Sequence, residues 1–297
     1  MTIRYPQGIW LPLVTPFRDG DLDEASLRRL VRHYAAQPID GLILAATTGE
    51  GLTLDDAETA RLVQVVAAEL DGKLPICLGL SGSDTRKLGK ALELTAAWPV
   101  GSYLIACPYY TRPSQEGLFR HFATLARDSD KPILIYNIPY RTGVNMGNET
   151  LLRLAALPNI VGLKDCCAEA AQSFDLLRAR PSGFSVLTGE DALFYNALTH
   201  GADGGILASA HVETRLFARV HNAVRGGNHS AALAVWRDLV DLPRLLFAEP
   251  SPAPIKHWLW RAGLLHSPEV RLPMTEISAG LAARIDAEIA RRTSLAA

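Results

Sequence analysis

Ile133-Leu-Ile-Tyr-Asn-Ile-Pro-Tyr-Arg-Thr-Gly143 and Ile160-Val-Gly-Leu-Lys-Asp165 are the two stretches that decide the fold. Each opens with an apolar run too short for a helix and without polar alternation, the pattern of a strand covered on both faces. Each run ends in a residue able to do chemistry, Tyr136 in the first and Lys164 in the second. The two residues lie 28 positions apart, one strand–helix–strand repeat. Working outward, six further runs read the same way: Ile9–Leu13, Gly41–Ala46, Ile76–Leu80, Ser102–Ala106, Ser185–Thr188 and Gly204–Ala208. Amphipathic segments fall between and after them: Asp23–Ala36, Leu54–Leu70, Thr85–Ala97, Gln115–Asp128, Asn148–Leu157, Glu169–Ala179, Asp191–His200 and Glu213–Arg225.

Eight strands alternating with eight helices predict an α/β fold, a closed (β/α)8 TIM barrel. The competing architecture is an open doubly wound sheet, which normally carries G-x-G-x-x-G after its first strand; the motif is absent here. Past Gly227 the alternation stops. Ser230–Phe247 reads as one long helix, Glu249–Pro254 is kept out of helix by its prolines, and Ile255–Ala262 and Ile277–Arg292 read as two more helices. The expected organisation is a barrel over residues 1–227 that carries the site, and a helical domain over 228–297.

Composition narrows the function. Of 297 residues, 48% are hydrophobic and 21% charged, and 30 basic side chains offset 31 acidic ones for a net charge of -1. That balance offers no long-range attraction to nucleic acid or to an anionic membrane. No apolar run reaches the roughly 18 residues of a membrane span, and Met1–Gly8 has no apolar signal core. The cytoplasm is the expected compartment. Cys77 and Cys107 sit in apolar runs, Cys166 and Cys167 are adjacent, and no disulfide or zinc spacing results. The eight histidines show no ligand spacing, so no metal or other cofactor is expected.

In such a barrel the chemistry sits at the C-terminal ends of the strands. Lys164 ends its strand in apolar surroundings; desolvation disfavours the ammonium and frees an amine to attack a carbonyl. The bland alternative is a structural pairing with Asp165 or Glu190. Tyr136 is the lateral neighbour and can shuttle protons, or simply pack at the rim. Thr47 and Thr48 precede Gly49 and can hold a carboxylate, or merely cap a turn. Arg141 can grip a second carboxylate in bidentate fashion, or be a surface arginine. Gly201-Ala-Asp-Gly-Gly205 reads either as a phosphate cradle or as a tight entry into the last strand.

These residues resemble the dihydrodipicolinate synthase / N-acetylneuraminate lyase family of class I aldolases. The likeness runs from Gly8–Phe17 to Arg271–Thr275 and is carried by Thr47–Glu50, Pro108–Tyr110, Tyr136–Gly143 and Gly162–Lys164, closest to the synthase branch. The resemblance implies a barrel with a C-terminal helical domain, a homotetramer, and a Schiff base between Lys164 and pyruvate or a related 2-oxo acid. By the same match Tyr136 is the proton shuttle, and Thr47 links it to Tyr110, which reaches across from a neighbouring subunit. Thr48 binds the pyruvate carboxylate, Arg141 binds the carboxylate of aspartate semialdehyde, and the backbones of Gly189 and Ile206 line the pocket. The chain departs from the family pattern at Ala46, Thr111, Tyr140, Ser251 and Asp165-Cys166, which keeps open an aldolase or dehydratase for a longer 2-oxo sugar acid. A non-catalytic binder of the same acids is a third reading. The lysine-feedback positions of some synthases correspond to Asp56, Thr59 and Lys87, which implies no strong inhibition by lysine.

Overall fold

Eight short, β-rich runs, each followed by a helix long enough to cover it, close on themselves. The computed structural model describes residues 6–167 and 169–296; the reading of Met1–Tyr5 lies outside the described residues. The strands are β1 (Gly8–Pro12), β2 (Gly41–Leu44), β3 (Ile76–Leu80), β4 (Ser102–Ala106), β5 (Ile133–Asn137), β6 (Ile160–Asp165), β7 (Ser185–Thr188) and β8 (Gly204–Ile206). All pair in parallel, and β8 returns to β1 to close the barrel. The helices are α1 (Glu24–Ala35), α2 (Asp56–Leu70), α3 (Thr85–Thr95), α4 (Gln115–Arg127), α5 (Asn148–Ala155), α6 (Ala170–Ala179), α7 (Phe194–Thr199) and α8 (Ala210–Arg225). Four more follow the barrel: α9 (His229–Leu239), α10 (Asp241–Leu246), α11 (Ala253–Arg261) and α12 (Ala279–Ala296). The expected closed barrel and C-terminal helices are present.

Two apolar cores result. One fills the barrel interior with Trp10, Ile43, Leu104, Leu134, Leu187 and Ile206 among others; the other lies between strands and helices. Helix starts follow the sequence signals: Asp23, Asp55, Asp84 and Ser114 each accept a backbone N–H of the first turn, and Asp55 with Glu58 forms a capping box.

Several boundaries differ from expectation, each for a local reason. β2 stops at Leu44 because Ala45 turns into the left-handed region at φ 52°. Ser230–Phe247 is two helices, not one. Pro243 has no N–H to donate to the Leu239 carbonyl, so the helix is interrupted at Val240, whose own backbone stays helical. Asp191–His200 begins as a 3-10 turn over Asp191–Leu193 before α7, and α8 starts at Ala210 with a kink at Glu213. A two-stranded ribbon, Phe17–Arg18 with Asp21–Leu22, was not foreseen.

The seam between β8 and β1 explains the glycine-rich stretch before β8. A Cβ on Gly204 would lie 2.0 Å from the Gly8 carbonyl oxygen, and the Gly8 N–H donates to Asp203. Close strand approach accounts for Gly204, while Gly201 takes left-handed backbone at φ 98° in open space. His211 of α8 ties the same seam: its Nε2 accepts the Val14 N–H at 3.2 Å while its Nδ1 lies 2.8 Å from the Ala208 carbonyl. That pair of bonds requires a neutral ring protonated on Nδ1.

Burial pushes the pKa of both His211 and His121 down from 6.5 to about 4. Between those values the unfolded chain takes up protons that the native state refuses, so stability is full above about pH 6.5 and is lost as pH falls toward 4. Thermal and denaturant melts from pH 7 to 4 should show a loss of about 1.4 kcal/mol per pH unit for each imidazole. H121Q should remove its share of that slope; a flat profile for the wild type contradicts the assignment.

Candidate active site

One irregularity sets the geometry. The β5–β6 register shifts after Ile133↔Ile160, so that Leu134 pairs with Gly162 and Tyr136 stands level with Lys164. The extra residue lets both Val161 and Lys164 face the interior, where strict alternation would put them on opposite faces. Gly162 permits it: a Cβ there would lie 2.5 Å from the Ser185 carbonyl oxygen. Lys164 Nζ lies 4.2 Å from the centroid of the Tyr136 ring. Asp165 faces outward, where its carboxylate accepts from Cys167 N–H at 2.9 Å and from the Ser173 hydroxyl at 2.5 Å. The structural pairing of Lys164 with Asp165 is therefore not made.

Lys164 and Tyr136 are both buried. Burial lowers the Lys164 pKa from the usual 10.5, against the opposing pull of Cys166, Asp191 and Glu190. Burial also drives the Tyr136 phenol well above 10, and a hydrogen bond with Thr47 works the other way. Burial thus works against the charged form of each group, ammonium and phenolate, and an uncharged amine is the form able to attack a carbonyl. Gly189 closes the far side: a Cβ there would come 2.5 Å from Lys164 Cε and 2.4 Å from Cys166 Sγ.

The turn after β2 is forced into shape. Ala45 and Glu50 both have left-handed backbone, at φ 52° and 53°. A Cβ on Gly51 would lie 1.8 Å from the Ala45 carbonyl oxygen, and the Thr15 hydroxyl holds the Gly49 carbonyl at 2.6 Å. Thr47 is exposed and Thr48 is buried. The loop after β5 is anchored by Asn137, whose Oδ1 accepts the Met146 N–H and whose Nδ2 donates to Asn145. Pro139 starts a single helical turn, Pro139–Thr142, and Gly143 at φ 76° ends it. That turn carries Tyr140 and Arg141, with the guanidinium carbon 5.7 Å from the Tyr140 ring centroid. The loop after β4 is fastened to it: Tyr110 N–H donates to the Thr142 carbonyl, and Arg112 Nε to the Gly143 carbonyl.

Thr47, Tyr110, Tyr136 and Arg141 converge on one cleft of about 620 Å³, joined by Tyr109, Arg112 and Tyr140. That volume suits a small molecule. Lys164, beside Tyr136 on the next strand, does not itself line this cleft, Thr48 is buried within its turn, and Ile206 belongs to the interior core that includes Tyr136. Tyr110 is 92% exposed and has left-handed backbone at φ 69°. Asp56 is exposed at the start of α2 and Lys87 is exposed on α3.

Sequence reading passed over Arg112, Glu190 as a pocket group, and Asp191. Asp191 is buried with the Ser209 N–H at 2.5 Å from its carboxylate, and its pKa is raised by burial. Glu190 Oε1 is buried with no hydrogen-bond partner among the described residues, and burial followed by the Asp191 charge raises its pKa. Two acids following a strand-end Gly189 were the available signal.

A model described as the dihydrodipicolinate synthetase family matches residues 5–291. The chain is 41% identical over 280 residues to 4-hydroxy-tetrahydrodipicolinate synthase 2 of Clostridium acetobutylicum, covering 94% of this chain and 98% of that one. It is 36% identical to the 4-hydroxy-tetrahydrodipicolinate synthase of Herminiimonas arsenicoxydans, over 92% and 94% of the two chains. Its fold superposes on the dihydrodipicolinate synthase of Thermotoga maritima with a TM-score of 0.94 at 31% identity, over 97% and 99%. For the Aquifex aeolicus synthase the TM-score is 0.92 at 31% identity, over 97% and 98%.

The contact at Gly189 gives a direct test. G189A should cost about 1–3 kcal/mol of stability by overpacking. It should also displace the Lys164 amine, slowing its borohydride-trapped reaction with a 2-oxo acid. Trapping at the wild-type rate would show that Gly189 does not set the position of the amine.

Proposed function

The chain belongs to the dihydrodipicolinate synthetase family, and on that premise we propose that it condenses pyruvate, held as a Schiff base on Lys164, with aspartate semialdehyde. The observation that carries the reading is the desolvated Lys164 amine 4.2 Å from the Tyr136 ring, beside a cleft that holds Arg141. The amine lone pair attacks the pyruvate C2 carbonyl, a proton passes from nitrogen to oxygen, and water leaves to give the imine. Tyr136 delivers the proton that lets water depart and takes one back as the imine becomes an enamine. The enamine carbon then attacks the aldehyde carbonyl. Thr47 relays protons between Tyr136 and Tyr110, Thr48 receives the pyruvate carboxylate, Arg141 the carboxylate of the aldehyde, and the backbones of Gly189 and Ile206 line the pocket.

Tyr140 supports a second reading. Its ring stands 62% exposed on the cleft wall, and a large group there favours a different partner, such as a longer 2-oxo sugar acid cleaved or dehydrated by the same amine. Arg141 beside it favours a substrate with a second carboxylate. Offering both substrate types to the purified enzyme separates the two.

On the same reading the enzyme is a homotetramer working in the cytoplasm in lysine biosynthesis, with residues 1–227 as the catalytic barrel and 228–297 as its helical domain. The exposed Tyr110 ring supports the assembly, since an aromatic so poorly covered by its own subunit suits contact with a neighbour.

Incubation with pyruvate and borohydride should place a pyruvyl adduct on Lys164, read by peptide mass spectrometry. K164A should fold, form no adduct and lose turnover by about a thousandfold or more; retained activity in that variant removes the mechanism. Sedimentation velocity should give four chains of 32.2 kDa. A fully active monomer would contradict the tetramer.

A further inference from the structure

We propose that Lys256, acting through Glu50, is a positioning residue that fixes the Thr47–Thr48 turn from the C-terminal side of the chain. The inference rests on the reading above that Thr47 and Thr48 serve the 2-oxo acid.

Lys256 lies on α11, 206 residues from Glu50, and its side chain has no exposure at all. Its ammonium donates to the Glu50 carboxylate and to the Glu269 carbonyl at 2.7 Å, and it lies 4.3 Å from the Phe17 ring centroid. The Glu50 side chain is 2% exposed, and its second oxygen accepts the Arg271 N–H at 2.9 Å. Arg271 braces the same corner: its guanidinium pairs with Glu58 on α2, donates to the Thr53 and Gly20 carbonyls, and its central carbon lies 4.2 Å from the Phe17 ring centroid. On the turn side, the Glu50 N–H donates to the Thr47 carbonyl at 3.1 Å, and the Glu50 carbonyl accepts from Thr53. Glu50 is therefore gripped at its carboxylate by the C-terminal segment and at its backbone by Thr47.

Energetics separate positioning from stabilisation. A wholly desolvated ion pair is a poor stabiliser, because its desolvation offsets most of its attraction, and an apolar pair of equal volume often does as well. What a hydrogen-bonded pair does better is select one geometry. Here the geometry needs selecting, since Glu50 is a non-glycine residue in left-handed backbone, which costs about 1 kcal/mol. Neither Lys256 nor Glu50 borders the cleft, so neither touches substrate. Their effect passes through Thr47, which does border it, and Thr48.

The test compares wild type, E50Q, K256M and K256M/E50Q. The double variant removes both charges, keeps an acceptor for the Arg271 N–H, and remains informative if K256M alone fails to fold. Two readings are taken: the KM for pyruvate with active sites titrated by the borohydride adduct, and amide exchange of peptides covering residues 42–54 and, separately, β5 and β6. In the double variant KM should rise about tenfold or more. Exchange should accelerate in residues 42–54 and stay at the wild-type rate in β5 and β6. Wild-type KM together with wild-type exchange in the turn overturns the proposal. So does a lowered active fraction with unchanged KM and exchange raised everywhere, which is a purely structural role. Failure of the wild type to form any pyruvyl adduct would sink the functional reading alone, because exchange in the turn still decides the positioning role.

Discussion

The level pairing of Tyr136 with Lys164 across β5 and β6 is the constraint on which the site depends. One extra residue at Val161–Gly162 turns Lys164 inward and Asp165 outward. A one-residue slip reverses every side chain beyond it, so the same sequence without the bulge would aim the amine at the helices and the carboxylate at the barrel interior. The desolvation of Lys164, its contact with the Tyr136 ring and its seat against Gly189 all follow from that single shift.

Two buried lysines show how surroundings divide one chemistry into two uses. Lys256 sits in direct contact with a carboxylate, and although burial lowers its pKa to about 8, Glu50 favours its charged form. Lys164 is lowered by burial as well, but its inward neighbours are an aromatic face, a thiol and a glycine backbone, with Asp191 held by the Ser209 N–H instead. Lys256 is held in a direct ion pair, whereas Lys164 makes no direct pair with its neighbour Asp165, which is taken by Cys167 and Ser173.

The departures from the family pattern separate by position. Asp165 faces outward, Ser251 is buried away from the cleft, and Thr111 is exposed in the loop after β4. Ala46 packs in the interior, where Gly79 makes room: a Cβ on Gly79 would lie 2.8 Å from the Ala46 backbone. Cys166 is buried against Gly189. Only Tyr140 borders the cleft, and burial raises its phenol pKa beside Arg141. Of the departures, Tyr140 alone lines the cleft, while the Cys166 thiol shares the seat of the Lys164 side chain against Gly189.

The alternation of strand and helix, the closed barrel, and Tyr136 and Lys164 at consecutive strand ends were legible from residue order alone, because apolar runs and their ends are local, periodic features. The bulge at Val161–Gly162 was not read from the sequence, because what makes a glycine necessary there is the Ser185 carbonyl of the next strand. The break at Val240 was written locally, in Pro243, within what reads as one amphipathic helix. Only the tertiary structure decided that His211 ties α8 to Val14 and that Lys256 grips Glu50. Each of these joins residues distant in the chain, 206 positions in the last case, and no local pattern of hydrophobicity encodes which distant partner a buried polar group will meet.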